Sequence, residues 1–154
     1  VMRSNNLKLS DIQEASSELE LLPGAYNFLQ KIRQNFQVVI LSDTFHEIAK
    51  PLMEKMGFPL LLCHNLDVVN DEIISYKLRN KKAKKQAIES FQSIGYRCLA
   101  AGDSYNDLQM FEVADKSFFI NAPDKISSSY PEIPSFDNYT DLESAIVDNS
   151  IFKK

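Results

Sequence analysis

Two aspartates and an asparagine stand close together in the stretch CLAAGDSYNDLQMF, residues 98–111, where an apolar run meets a predicted helix. Asp103, Asn106 and Asp107 would then lie at the end of a buried strand, where charge is costly unless a partner neutralises it. Mg²⁺ prefers oxygen ligands and often takes only one or two carboxylates, which leaves room for a phosphate. Asp103 can ligate such a cation directly, and Asp107 can bind it through water or hold a neighbouring group. Gly102 would permit the chain reversal, and the Asn106 amide can donate to a phosphoryl oxygen or cap the helix.

Two other places in the chain carry groups that suit the same chemistry. In LSDTF, the Ser42 hydroxyl and the backbone N–H groups of Asp43 and Thr44 would form an oxygen-binding notch near a helix N-terminus. Lys84 falls in the first turn of the helix that precedes the strand predicted at residues 96–101. Its ammonium would neutralise charge on a transferring phosphoryl group. Together the three places predict a site for magnesium and phosphate.

Each of these features also has a purely structural interpretation. The GDSYND stretch can be a polar turn with a helix cap, and SDT after a strand is a common N-cap cluster. His46 and His64 have no partners at ligand spacing, so we assign them no chemistry. A run of basic residues usually forms a solvated helix face, and that interpretation applies to most of Arg79, Lys81, Lys82, Lys84 and Lys85. The functional interpretation therefore depends on the three places occurring together.

The elements that would position these groups alternate between strands and helices. Short β-branched or apolar runs predict buried strands, and apolar residues at helical spacing predict helices. This alternation predicts an α/β fold with a parallel sheet and right-handed crossovers, in which ligands bind outside the carboxyl ends of the strands. The strands are predicted at residues 37–42, 59–63, 96–101 and 117–121, and the helices at 23–36, 44–57, 81–95 and 107–114.

Local signals add detail to this outline. Ser10 is predicted to cap a short helix, and the helix after the first strand is predicted to bend at Pro51 and end at Gly57. Two alternating runs around Asn70-Asp71 predict a β-hairpin. The next helix should end at Gly95. The tail is predicted to be mostly irregular, with a short helix from about Asp141. The buried face of helix 23–36 is predicted to comprise Ala25, Phe28, Leu29 and Ile32.

The length and the composition of the chain are those of a single globular domain. The chain has 154 residues, of which 44% are hydrophobic and 25% charged, and no apolar run is long enough to span a bilayer. We see no signal peptide at the start. A net charge of −4 argues against nucleic acid as a partner. Cys63 and Cys98 lie in apolar runs and are interpreted as buried hydrophobic residues, neither disulfide-bonded nor metal-binding, in a reducing compartment such as the cytoplasm.

The ordered trio of serine, lysine and acid pair resembles the haloacid dehalogenase superfamily of phosphatases and phosphotransferases. VVILSDT resembles its second motif, Lys84 its third and GDSYND its fourth. Within the superfamily the chain is most similar to phosphoserine phosphatases, and closest to the subgroup described as phosphoserine phosphatase and homoserine phosphotransferase. The stretches LKLSDIQE, FQVVILSDTF, GFPLLLCH, YRCLAAGDSYND and YPEIPSFDNYTDLE carry this likeness over nearly the whole chain.

The resemblance implies a three-layer Rossmann-like fold with a small β-hairpin insertion and a Mg²⁺ cofactor. It also implies a role for each matching residue. Ser42 would bind the substrate phosphoryl group with Asp43 beside it, Lys84 would bridge phosphate and nucleophile, Asp103 would ligate Mg²⁺, Asn106 would contact the phosphoryl group, and Asp107 would support the metal shell.

The family's first motif is not found in this sequence. That motif is an apolar strand followed by an aspartate, one residue and a second acid, and the first aspartate attacks phosphorus. Residues 1–20 are interpreted as a remnant of the helical cap and linker, and residues 21–154 as an incomplete Rossmann-like core. In the family the missing strand lies in the middle of the sheet, so we expect either a sheet that closes over the gap or a poorly stable chain.

The sequence therefore supports two functional hypotheses. The first is a Mg²⁺-dependent phosphomonoester hydrolase or phosphotransferase acting on a small phosphorylated metabolite such as phosphoserine, with an isolated chain that is inactive because its nucleophile is missing. The second is a non-catalytic phosphate-binding or interaction module derived from the same fold. A response-regulator receiver is set aside because its acid pair comes early and its lysine last. No nucleic acid or membrane partner is expected, and the choice between hydrolysis and transfer to homoserine stays open.

Overall fold

The computed structural model describes residues 7–79 and 82–148, which fall into two compact units. The first unit comprises Val1–Lys81 and the second comprises Lys82–Lys154. The interpretation of residues 1–20 as a remnant of a cap stays a prediction.

The first unit combines three helices with a three-stranded sheet. The sheet order is β1-β2-β3, with β1 parallel to β2 and β2 antiparallel to β3. The second strand is longer than predicted, because β2 continues past Cys63 to form the first arm of the hairpin. The elements are α1 (Leu9–Glu18), α2 (Ala25–Ile32), β1 (Val39–Phe45), α3 (His46–Lys55), β2 (Leu60–Val69) and β3 (Glu72–Lys77).

The second unit contains a fully parallel sheet in the order β4-β5-β6. The parallel strands with intervening helices confirm the predicted α/β class. The tail is more regular than predicted, because it contains a short helix and a third strand, and its last helix begins at Tyr139, before the predicted start near Asp141. The elements are α4 (Ala83–Ser93), β4 (Leu99–Gly102), α5 (Leu108–Phe111), β5 (Lys116–Ile120), α6 (Asp124–Ser127), β6 (Ser135–Phe136) and α7 (Tyr139–Asp148), with a 3₁₀ turn at Tyr105–Asp107.

Each unit has its own apolar core. In the second, Phe119 and Leu142 are the most deeply buried side chains, and Phe111 packs edge-on against Phe119 with ring centroids 5.3 Å apart. In the first, α2 buries Leu29 and Ile32 while Ala25 and Phe28 are half-buried, so the predicted buried face of this helix is confirmed.

The two glycine helix ends predicted from the sequence are present. Gly57 has φ +72° and Gly95 has φ +95°, conformations that disfavour other residues. After the first, the Phe58 N–H donates to the Met53 carbonyl at 2.8 Å, and after the second, the Tyr96 N–H donates to the Phe91 carbonyl at 3.0 Å. These bonds satisfy the last carbonyls of α3 and α4 and end both helices.

The predicted hairpin is confirmed, but the predicted role of Ser10 is wrong. Asn70 and Asp71 have φ +50° and +69°, as a tight two-residue hairpin turn requires. Ser10 donates its backbone N–H and its hydroxyl to the Asp71 carboxylate at 2.9 and 2.6 Å. The N-cap of α1 is Lys8, whose N–H donates to Asp11 at 2.9 Å. A partner distant in sequence has thus replaced the local cap.

Helix α3 continues through Pro51 to Lys55. Proline has no N–H, so the Glu47 carbonyl one turn earlier receives no bond from it. The Gln13 side chain of α1 donates to that carbonyl at 2.6 Å, and Ser16 donates to the next carbonyl, that of Ile48, at 3.1 Å. The proline is therefore accommodated by polar contacts that join α1 to α3.

Strands β1 and β4 each form an edge of their own sheet. Within residues 7–79 and 82–148, β1 pairs with β2 alone and β4 pairs with β5 alone. The apolar residues Val39, Ile40 and Leu41 of β1 are accordingly half-buried, whereas the sequence predicted a strand covered on both faces. The expectation that the sheet closes over the missing strand is therefore wrong, and the alternative of low stability stays a prediction.

Cys63 is buried, as predicted, whereas Cys98 is only half-buried, and both are free thiols. Burial is the main cause that raises the pKa of each thiol above its ordinary value. Within the described ranges, no helix has both the length and the apolar character needed to cross a membrane.

Candidate active site at the carboxyl end of β4

The acid pair predicted from the sequence lies where β4 leaves the second sheet. The strand ends at Gly102, Asp103 follows, and the chain then turns into the 3₁₀ turn Tyr105–Asp107. Ser104 caps this turn in a reciprocal capping box with Asp107. The turn places the Asp107 side chain back over the end of the strand, so local sequence accounts for its position.

The Asp107 carboxylate organises the whole turn. Its Oδ2 accepts hydrogen bonds from the Asp103 N–H at 3.0 Å, the Ser104 N–H at 3.1 Å and the Ser104 hydroxyl at 2.9 Å. Its Oδ1 accepts a bond from the Lys84 ammonium at 2.8 Å. Both oxygens are thus engaged, which fixes the loop geometry and the position of a positive charge.

The Lys84–Asp107 ion pair is largely removed from solvent. The side chains are only 14% and 6% exposed, respectively. Moving two charges out of water costs free energy that their attraction only partly offsets, so a buried ion pair is weak evidence for a stabilising role. Its position at the carboxyl end of a parallel strand, where ligands bind in α/β folds, favours a role in ligand binding.

The electrostatics of Asp107 favour its charged form. Burial raises the pKa of this carboxyl, but the hydrogen bond and charge of Lys84 and the two bonds from Ser104 outweigh burial. The net result is a pKa below the ordinary aspartate value, so Asp107 is ionised at neutral pH.

Glycine is required at position 102 because a larger side chain would clash with a neighbour, and not because the chain reverses there as the sequence suggested. Its φ is not among the positive values found at Gly24, Gly57 and Gly95. A Cβ at Gly102 would lie 2.5 Å from Cγ and from Oδ2 of Asp107, closer than real Cβ contacts allow. Only glycine lets the carboxylate lie against the end of the strand.

Asp103 and Asn106 are the exposed polar side chains of this loop. Asp103 offers one carboxylate, and Mg²⁺ is commonly held by one or two carboxylates together with water and phosphate oxygens. In residues 7–79 and 82–148, no group of three or more histidine, cysteine or acidic side chains forms a ready-made metal cage. The site therefore fits a magnesium ion that a substrate phosphate helps to hold, and does not fit a dedicated structural metal.

In the first unit, Ser42, Asp43 and Thr44 all lie inside β1, which continues past the predicted end at Ser42 to Phe45. The β1–β2 register passes from Leu41 opposite Leu62 to Phe45 opposite His64, so these three residues form a bulge opposite a single residue of β2. Bulges are frequent beside active sites. The Thr44 N–H donates to the Ser42 hydroxyl at 3.2 Å, and Ser42 is half-buried.

The other basic residues near Lys84 in sequence and the two histidines lie in different surroundings from the buried Lys84. Lys85 pairs with Glu112 at 3.1 Å on an exposed face. The His64 Nδ1 accepts the Arg79 N–H at 3.1 Å, so this buried histidine has a structural partner. Lys82 is exposed, His46 is exposed, and Lys81 lies outside the described residues.

Sequence comparison assigns the chain to a class of enzymes. Residues 3–115 match the family model described as haloacid dehalogenase-like hydrolase. The chain therefore belongs to the haloacid dehalogenase-like hydrolase family, and the predicted resemblance is confirmed.

The relatives within that family are phosphoserine phosphatases. Phosphoserine phosphatase ThrH of Pseudomonas aeruginosa is 44% identical over 144 residues, which cover 93% of this chain and 70% of that protein. A phosphoserine phosphatase of Pseudomonas syringae pv. tomato is 43% identical over 148 residues, covering 96% of this chain and 62% of that protein. The chain thus spans about two thirds of the length of these relatives.

Solved structures show the same fold at lower identity. A phosphoserine phosphatase in apo form has a TM-score of 0.75 at 18% identity, covering 93% of this chain and 74% of that one. The phosphoserine phosphatase from T. onnurineus in complex with NDSB-201 has a TM-score of 0.70 at 20% identity. The match covers 91% of this chain and 66% of that one. These comparisons confirm the fold.

Sequence reasoning missed two residues near this site. Ser104 was not assigned a role, although a serine three residues before an aspartate is a capping-box signal. Tyr139 falls in the tail that the sequence predicts to be irregular, yet burial and, secondly, the charge of Asp103 raise its pKa above the ordinary tyrosine value. The first could have been found from spacing, whereas the second depends on how β6 pairs with β5.

Proposed function

We propose that this chain forms part of a magnesium-dependent phosphomonoester hydrolase of the phosphoserine phosphatase type, acting on phosphoserine or a closely related small phosphorylated metabolite. The observation that carries this proposal is the desolvated Lys84–Asp107 ion pair, 2.8 Å long, at the carboxyl end of β4. The 44% identity to a phosphoserine phosphatase supports the substrate class. The two free thiols support a reducing compartment such as the cytoplasm.

Each residue of the site has a part in this chemistry. Asp107 fixes the Lys84 ammonium, which faces the phosphoryl group and offsets its negative charge. Asp103 would hold Mg²⁺, which when bound would offset the negative charge of phosphate oxygens. Asn106 donates its amide to the phosphoryl group. For Ser42 and Asp43, in the first unit, phosphoryl binding stays a prediction from their match to the second motif of the family. Phosphoryl transfer depends mostly on such positioning and electrostatic stabilisation.

The attacking carboxylate is proposed to come from outside these 154 residues. No apolar run in this sequence is followed by the aspartate motif of the family. Without that carboxylate no aspartyl-phosphate forms, so the chain by itself binds phosphate and magnesium but does not turn over substrate.

The test is phosphoserine hydrolysis, measured for the chain alone and for the chain joined to an amino-terminal segment that carries the aspartate motif. We expect background rates for the first and Mg²⁺-dependent hydrolysis for the second. In the joined protein, Lys84→Met should abolish turnover, whereas the matched control Lys85→Met should retain it, because Lys85 pairs with exposed Glu112. Full activity of the chain alone, or equal activity of the two variants, would contradict the proposal.

The alternative of a non-catalytic phosphate-binding module is supported by the same absence of a nucleophile motif. It predicts that the joined protein binds phosphoserine in the presence of Mg²⁺ without hydrolysing it. The hydrolysis assay therefore separates the two functions.

A further inference from the structure

Asn121 directly follows β5 at the sheet edge that carries the candidate site. The pairing of β4 with β5 is parallel and ends with Gly102 opposite Phe119. Asp103 follows Gly102, and Asn121 comes two residues after Phe119. Both residues therefore leave neighbouring strands at their carboxyl ends, where ligands bind in α/β folds. Adjacent strands lie only about 4.8 Å apart, so a ligand bound at the end of β4 also adjoins the end of β5.

The backbone of Asn121 has a left-handed conformation that few side chains adopt. Its φ is +51°, and within the described residues four non-glycine residues have positive φ. Two of the others, Asn70 and Asp71, form the hairpin turn, and Phe58 follows the glycine that ends α3. Of the four, only Asn121 follows a strand of the fully parallel sheet. Glycine adopts this conformation at no steric cost, so the conformation by itself does not require an amide side chain.

Hydrogen bonds to β6 fix the backbone of Asn121. Its N–H donates to the Phe136 carbonyl at 2.9 Å, and the Phe119 N–H donates to the Pro134 carbonyl at 2.8 Å. After Asn121 the chain enters α6, which Ile126 anchors in the core with 7% exposure. A side chain on a backbone that is fixed on both sides is preorganised to bind a ligand.

The side chain of Asn121 contributes no hydrogen bond to the fold. It is exposed, although Phe118 and Phe119 just before it are 2% and 0% exposed. Its amide bonds to no other residue in the part of the chain that the structure describes. The amide of Asn138, in contrast, donates to the Asp141 carboxylate at 2.8 Å at the start of α7. The two N–H donors of the Asn121 amide are therefore available to a ligand.

We propose that Asn121 is a further substrate-binding residue, whose amide donates a hydrogen bond to an oxygen of the phosphomonoester bound at the carboxyl end of β4. This inference rests on the proposed function, in which Asp103 and Lys84 bind Mg²⁺ and phosphate, and it adds a residue from the neighbouring strand. An amide suits the role because it donates to an anion without adding negative charge beside Asp103. Loss of one hydrogen bond to a charged group weakens binding about 10-fold.

The test compares Asn121→Gly with the matched control Asn70→Gly in the full chain. Glycine adopts both native φ values, +51° and +50°, so both variants should fold and should have similar urea midpoints. Calorimetric titration with phosphoserine in MgCl₂ should show about 10-fold weaker binding for Asn121→Gly and unchanged binding for Asn70→Gly. Asn121→Asp tolerates the same φ but brings a carboxylate to the anion, so it should bind more weakly than Asn121→Gly.

The outcomes separate this inference from the proposed function. If the unaltered chain binds no phosphoserine, or binds it equally well after Asp103→Asn, the proposed function and this inference are both wrong. If binding requires Asp103 but Asn121→Gly binds as tightly as Asn70→Gly, only the inference is wrong. Binding by Asn121→Asp that is as tight as binding by the unaltered chain would overturn the inference as well.

Discussion

Replacing Lys84 by methionine isolates the ion pair on which the site depends. Methionine keeps most of the length of the lysine side chain and removes its charge. In the native structure the two side chains are 14% and 6% exposed, so water cannot readily replace the lost ammonium. Asp107 would keep three donors on Oδ2 but lose the Lys84 bond on Oδ1. A buried, partly compensated carboxylate would remain.

The expected cost follows from that geometry. Removing one partner of a buried ion pair costs about 3–5 kcal/mol, because the other charge stays buried. The three remaining donors on Oδ2 place Lys84→Met near the lower end, about 3 kcal/mol. Lys85→Met is the matched control on the same helix, since its partner Glu112 is 63% exposed. An exposed pair of this kind contributes about 0–1 kcal/mol.

Urea denaturation followed by circular dichroism at neutral pH measures both free energies of unfolding. A third variant, Lys84→Met with Asp107→Asn, should be more stable than Lys84→Met alone, because no carboxylate charge remains buried. The reasoning is refuted if Lys84→Met and Lys85→Met lose equal stability, or if the double variant is the least stable of the three.

Three further predictions concern pH, packing and thiol chemistry. Burial raises the pKa of Asp107, but Lys84 and the neighbouring bonds bring it below its ordinary value, so its stabilising contribution is complete above about pH 4 and is lost as the pH falls further. The stability difference between the native chain and Lys84→Met should therefore shrink in urea titrations toward pH 3, and a constant difference would count against this. Gly102→Ala should destabilise more than Gly95→Ala, because its Cβ meets Asp107 at 2.5 Å whereas Gly95 has open space and costs only about 1–2 kcal/mol through its φ of +95°; equal urea midpoints would contradict the packing argument. Because burial raises the pKa of Cys63, its thiol should react slowly with a disulfide reagent at neutral pH and quickly in urea, and fast labelling of the folded chain would show that the thiol is accessible.

Much of the fold could be predicted because its signals are local. Gly57 and Gly95 end helices through conformations that glycine favours, and Asn70-Asp71 forms a turn that two adjacent residues specify. Signals that depend on distant partners were misread. Ser10 has the chemistry of a helix cap, but Asp71, 61 residues away, accepts its hydroxyl. Strand β6 could not be predicted, because a two-residue strand preceded by Pro134 and followed by Asp137 has no detectable period.

The candidate site shows the same contrast between features set by local sequence and features that depend on distant partners. The residue types at Lys84, Asp103 and Asp107 predicted a phosphate and magnesium site. The direct contact between Lys84 and Asp107, 23 residues apart, could not be predicted, because it depends on how α4 packs beside β4. The role of Gly102 was misread for the same reason, since its neighbour is a side chain and not a backbone turn.

The central claim is that the carboxyl end of β4 binds a phosphate together with Mg²⁺, and amide NMR tests it most directly. The ¹⁵N-labelled chain would be titrated with phosphoserine, with and without MgCl₂. We predict Mg²⁺-dependent shifts concentrated at residues 102–107 and at Lys84, which Lys84→Met abolishes and Lys85→Met preserves. Shifts elsewhere in the chain, or shifts at these residues that survive Lys84→Met unchanged, would contradict the account.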